Sequence, residues 1–236
     1  MDSIRLIITL GTLAVVTALS IPALAAPEEG VALAIVYDTS GSMKEQVRDR
    51  NGKLSPKYVV ANRALEAIAA RLQTFSTNGG PRKIHAGLFV FERNGAKQAV
   101  PFGPFDAPAF QSWARKFSAP EGGTPLGNAL RAASETVLKS DLTRKHVLII
   151  TDGINNVGPD PAAVLPRLRQ LAEQKQTGLS VHFVAFDVNA KVFDGVKKLG
   201  GTVVGASDEA QLNTQLEFIL EKKILLEDEE APRKKS

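Results

Sequence analysis

The chain has 236 residues, 44% hydrophobic and 23% charged, enough for one large domain or two small ones with a full core. It has no cysteine, which excludes a disulfide framework, a thiolate-ligated metal site and a thiol nucleophile, and its three histidines restrict imidazole chemistry. The formal charge of +4 is mild and diffuse, so nucleic acid is not an expected partner.

Residues 1–25 read as a signal peptide. An apolar run over 6–19, interrupted by Thr9, Thr12 and Thr17, is broken at Ser20-Ile21-Pro22, and Ala23-Leu24-Ala25 then supplies the small-x-small pattern of a cleavage site. The alternative is an uncleaved anchor, because residues 6–24 nearly reach membrane-spanning length. A cleaved signal implies a periplasmic or secreted protein; an uncleaved one implies a domain anchored to the membrane outside the cytoplasm.

The next segment, 31–37, is a short apolar run that stops at DTSGS, the pattern of a buried strand entering a loop. Residues 43–57 are polar and carry Lys44, Arg48, Arg50, Lys53 and Lys57 against Glu45 and Asp49, which reads as a solvated loop able to attract an acidic partner. Helical spacing of Val60, Ala64, Ile68, Leu72 and Phe75 predicts a helix over 58–75. A strand over 84–91 meets the hairpin signal Asn94-Gly95, and a brief antiparallel return strand over 99–102 belongs at a sheet edge, where Pro101 is tolerated.

A helix is expected over 107–117, with Trp113 as a packing residue. Thr124-Pro125 reads as the N-cap and first residue of a helix to about 138. Strands over 147–151, 181–186 and 202–204 alternate with helices over 161–175 and 191–199, the first of these capped by Asp160. Ser207-Asp208 caps a last helix to about 226, and the charged tail 227–236 is expected to be disordered. His85, His146 and His182 each stand near a strand start, at the sheet edge away from the strand-end loops. The pattern predicts a Rossmann-like three-layer α/β/α domain over 28–226, with a mostly parallel six-stranded sheet and one short antiparallel edge strand.

In such a sheet, ligands bind beyond the carboxyl ends of the strands, near the point where strand order reverses. Asp38-Thr39-Ser40-Gly41-Ser42 follows the first strand, Asp152-Gly153 follows the fourth, and Gly122-Gly123-Thr124-Pro125 opens a helix. Singly, these are ordinary turn and cap residues, and Asn155 and Asn156 are expected to shape a turn before Gly158-Pro159. Together they offer an all-oxygen donor set that suits magnesium or manganese rather than zinc.

Asp38-x-Ser40-x-Ser42, Thr124 within GGTPL and Asp152 within ITDG resemble the metal-ion-dependent adhesion site (MIDAS) of von Willebrand factor A domains, over roughly residues 31–220. The resemblance implies Ser40, Ser42 and Thr124 as direct hydroxyl ligands of Mg2+, or of Mn2+ or Ca2+, with Asp38 and Asp152 acting largely through bound water. It implies an open position for a Glu or Asp side chain of a partner protein, and hence a binding module rather than an enzyme. Two other functions compete. One is a metal-dependent hydrolase or phosphoryl-transfer enzyme using Asp38; the other is a scaffold module in which metal is optional. GxGxxG, GxxxxGK[ST] and GxSxG motifs do not occur, which argues against nucleotide binding and serine hydrolysis.

Overall fold

The computed structural model describes residues 28–78 and 82–225; the expected signal peptide and charged tail lie outside them. Strand β1 (Glu28–Tyr37) is the centre of the fold. Its side chains alternate between faces: Val31, Leu33, Ile35 and Tyr37 join one core, and Ala32, Ala34 and Val36 join the other. Both faces are therefore apolar, as a parallel strand covered on both sides requires.

From β1 the chain passes through a 3-10 turn, Gly41–Lys44, into a small hairpin of β2 (Gln46–Arg48) and β3 (Leu54–Pro56). The polar loop expected here is thus partly ordered into a hairpin, and Lys57 opens helix α1 (Lys57–Thr77) rather than lying in a solvated loop. β4 (Ile84–Glu92) and β5 (Gly95–Pro104) form the predicted antiparallel pair. The edge strand is ten residues long, not short. Pairing continues on both sides of Pro101 because the ladder shifts register there.

Helices α2 (Ala107–Lys116) and α3 (Leu126–Val137) lead into β6 (Leu142–Thr151). The rest alternates: α4 (Pro161–Gln174), β7 (Ser180–Phe186), α5 (Asp194–Lys198), β8 (Thr202–Ala206) and α6 (Glu209–Ile219), ending in a π-helical turn, Leu220–Leu225. Asp160 and Asp208 cap α4 and α6 with their carboxylates, as predicted. The six-stranded sheet has the order β5-β4-β1-β6-β7-β8 and is parallel except for β5. Helices α1, α2 and α6 cover one face, and α3, α4 and α5 the other. No helix among the described residues is long and apolar enough to cross a membrane. From β1 at the middle of the sheet the chain builds outward to β5 and returns to the far side of β1 as β6. The order reverses between β1 and β6, so a crevice opens at their carboxyl ends.

At the other end of these strands the histidines take two forms. His85 packs its ring against Phe102 near the start of β4. His146, midway along β6 rather than near its start, stacks on His182 of β7, with both residues fully buried beneath the C-terminal turn. One hydrogen bond of 3.3 Å joins His146 Nδ1 and His182 Nε2. Burial lowers His146 to about 3, helped by His182 and Arg144, and lowers His182 to about 4, helped by Lys223. The unfolded chain therefore takes up protons below about pH 6.5 that the folded chain refuses. The pair's stabilisation is complete above that pH and is lost as pH falls toward 4. Denaturant unfolding at pH 7 and pH 4.5 should show this loss, at about 1.4 kcal/mol per pH unit for each histidine, and His146→Gln/His182→Gln should flatten the slope.

Candidate metal centre

Asp38 and Asp152 leave the sheet on either side of the crevice, at the ends of β1 and β6. Asp38 is fully buried. Its Oδ1 accepts from the Ser40 backbone N–H at 2.8 Å, and its Oδ2 accepts from Thr151 Oγ1 at 2.5 Å. Asp152 Oδ1 accepts from Ser42 Oγ at 2.8 Å, and Ser42 Oγ lies 3.0 Å from Ser40 Oγ. Thr124 completes the set. A Cβ placed on Gly153 would stand 3.1 Å from Thr124 Oγ1 and 3.7 Å from Asp38 Oδ2, so the two oxygens flank one point. All five predicted side chains converge.

Backbone hydrogen bonds hold the three loops in place. Gly41 N–H donates to Gly122 O at 3.1 Å, and Glu121 N–H to Thr39 O at 2.8 Å, tying the first loop to the second. Gly122 takes φ +80°, a left-handed conformation that glycine adopts without strain. The second loop is tied to the third through Asn156, whose N–H donates to Thr124 O at 3.2 Å and whose Oδ1 accepts from Thr124 N–H at 2.7 Å.

Thr124 is not the N-cap it resembles. Asn155 Oδ1 instead accepts from Gly127 N–H at 3.2 Å in the first turn of α3, which leaves the threonine hydroxyl free to face the site. Asn155 also donates from Nδ2 to Gly158 O at 3.1 Å, so it does shape the expected turn as well.

Three residues at this edge have roles that sequence reasoning did not assign. Thr151 holds Asp38. Lys57 is buried, with Nζ 2.7 Å from Glu45 Oε2, 3.0 Å from Asp187 Oδ2 and 3.1 Å from Asp152 Oδ2. Asp187, just after β7, has a left-handed backbone at φ 53°. A lysine opening a helix was the one available signal, because the helix dipole disfavours a cation there.

Burial, then the charge of Asp152, pushes Asp38 up to about 6, although Ser40 and Thr151 pull the other way. Burial also raises Asp152, opposed by Ser42 and Lys57. For Lys57, burial works against the charge, but Glu45, Asp187 and Asp152 outweigh it and hold the ammonium well above its ordinary value. A fully buried carboxylate raised so far is a place where added positive charge is favourable.

The donors fit a hard divalent cation. Octahedral coordination with metal–oxygen bonds of about 2.1 Å sets neighbouring ligands about 3.0 Å apart, and the two serine hydroxyls stand 3.0 Å apart. Ser42 directs its proton to Asp152, which leaves oxygen lone pairs available to a metal. Among the described residues no three His, Asp or Glu side chains are placed to hold a metal, so a cation here depends on the hydroxyls.

Residues 32–217 match the model of the von Willebrand factor type A domain family. No curated protein sequence matches the chain. Among solved structures, the chain is similar to the PilB minor pilin from Streptococcus sanguinis, at 16% identity and a TM-score of 0.63, over 82% of this chain and 61% of that one. It thus spans about three fifths of that protein. It is similar to the vWF domain of the type V pili tip protein Mfa5 from Porphyromonas gingivalis, at 13% identity and a TM-score of 0.60, over 82% of this chain and 95% of that one. It is also similar to proximal thread matrix protein 1 from the mussel byssus with a zinc-occupied MIDAS motif, at 18% identity and a TM-score of 0.59, over 83% of this chain and 48% of that one.

The position of Thr124 depends on how closely α3 approaches the third loop. A Cβ on Gly127 would lie 1.9 Å from Pro159 O, a contact no rotamer relieves. Gly127→Ala should therefore destabilise the fold by about 2 kcal/mol or more, lowering the melting temperature by about 4–8 °C. An unchanged thermal melt would show that α3 can back away without consequence.

Proposed function

Because the chain belongs to the von Willebrand factor type A domain family, we propose that it is a metal-dependent adhesion or assembly module exported from the cytoplasm. In this reading Asp38, Ser40, Ser42, Thr124 and Asp152 hold one divalent ion, Mg2+, Mn2+ or Ca2+. The observation that carries it is the meeting of three hydroxyls and two carboxylates from three separate loops at the point where strand order reverses. The similarity to a mussel protein whose MIDAS is zinc-occupied supports a divalent ion on this architecture.

The bound ion would supply an electrophilic centre for a carboxylate oxygen of a partner protein. The chain's own residues position and tune that centre. Ser40, Ser42 and Thr124 are neutral, so as direct ligands they leave the ion's charge largely uncompensated. Lys44, Arg48 and Lys53 are exposed on the neighbouring segment, and Ile154 is 58% exposed just after Asp152. Cations and an apolar side chain together fit an acidic partner that also buries some apolar surface.

A hydrolase using Asp38 as nucleophile fits less well. Both carboxylate oxygens already accept hydrogen bonds, and the residue is fully buried. His146 and His182 are sealed in the core away from the crevice. The scaffold reading with optional metal draws support from Lys57, which gives Asp152 a positive partner from within the chain.

Millimolar Mg2+ or Mn2+ should raise the melting temperature, because a ligand that binds only the folded state stabilises it by about 2.7 kcal/mol at a hundred times its Kd. Asp38→Ala and Thr124→Ala should each abolish the rise. A melt that Mg2+, Mn2+ and Ca2+ all leave unchanged refutes the metal site.

The affinity should also depend on pH. The metal competes with the proton that Asp38 takes up near pH 6, so affinity should be level above about pH 7 and fall roughly tenfold per unit below pH 6. Isothermal titration with Mn2+ at pH 7.5 and pH 5 checks the sign. EDTA should release the partner protein in a pull-down.

A further inference from the structure

Lys57 contradicts two local rules. Lysine is rarely buried, yet this residue is 2% exposed. The first turn of a helix disfavours a cation, yet Lys57 is the first residue of α1. What holds it there is a tripod of carboxylates, one for each ammonium proton: Glu45, Asp187 and Asp152 at 2.7, 3.0 and 3.1 Å.

The tripod draws on three separate segments. Glu45 follows the first metal loop, and its backbone O also accepts from Lys57 N–H at 2.8 Å. Asp152 ends the β6 loop. Asp187 is held in its left-handed turn by a 2.6 Å hydrogen bond from its N–H to Ala206 O, at the end of β8. Asp and Asn enter this conformation more readily than other side chains, and here it directs the carboxylate to Lys57.

Both oxygens of Asp152 are therefore engaged, one with Ser42 and one with Lys57. We infer that Lys57 is the resident counter-cation of this site: it keeps the segments bearing Glu45, Asp152 and Asp187 assembled without a divalent ion, and it weakens the affinity for that ion by already neutralising Asp152. The second half rests on the metal-binding reading above; the first half does not. The fixed charge within a few ångströms of Asp152 acts on an incoming cation whether or not it touches it.

The test uses Lys57→Met, which keeps the length of the side chain and removes its charge. Mn2+ binding, followed by electron paramagnetic resonance and calorimetry, should be at least ~10-fold tighter in K57M than in the wild type. In EDTA the same variant should unfold at lower urea. Asp152→Asn should recover part of that loss, giving a non-additive double-mutant cycle. A K57M chain that folds only with Mn2+ present supports the inference, and Lys57→Gln, which retains a donor, provides the measurement if K57M does not fold at all. Mn2+ affinity that is unchanged or weaker in a folded variant overturns the inference, as does an additive cycle in EDTA. Absence of Mn2+ binding in both wild type and variant defeats the metal reading instead, while the coupling in EDTA still decides the role of the lysine.

Discussion

Two carboxylates buried side by side govern this edge of the molecule. Asp38 and Asp152 end the two strands that border the crevice, and each is disfavoured as an anion by burial, Asp38 also by its neighbour's charge. The surrounding groups answer that problem. The Ser40 amide and the Thr151 hydroxyl donate to Asp38, and the Ser42 hydroxyl and Lys57 donate to Asp152. The arrangement is tolerable without a metal and favourable toward one, because a carboxylate raised to about 6 still gains from a nearby cation.

The same contacts make the site rigid. Backbone hydrogen bonds join the first loop to the second, and Asn156 joins the second to the third, so the hydroxyls meet at fixed separations before any ligand arrives. Asn155 relieves Thr124 of the capping duty that its position suggests. Alanines on the α3 face of β1 and the missing side chain at Gly127 leave room for α3 beside the sheet and the third loop. Core packing and site geometry are thus one property of the fold.

Lys57 adds a regulating term to that geometry. A divalent ion bound among neutral hydroxyls, beside an aspartate already paired with an ammonium, retains more of its positive charge than one held by free carboxylates. On the proposed reading, that residual charge is what an acidic partner group would meet.

Much of this was legible in the chain itself. The apolar run of β1 and the loops that interrupt the strand–helix alternation gave the layers, the strand count and the edge position of β5. The DxSxS, GGTP and TDG segments gave all five converging side chains, because turn chemistry at strand ends is local. What periodicity could not show was pairing across distance. β5 is longer than its apolar stretch because a shifted ladder accommodates Pro101, and the hairpin Gln46–Pro56 forms within a segment whose composition reads as loop. Lys57 reads as a surface cation for the same reason: its partners, Glu45, Asp152 and Asp187, lie up to 130 residues away in sequence. Local sequence determined which residues bear chemistry and where strands end. Only the tertiary structure decided which charges become neighbours, since burial energetics depends on groups brought together by the sheet rather than by the chain.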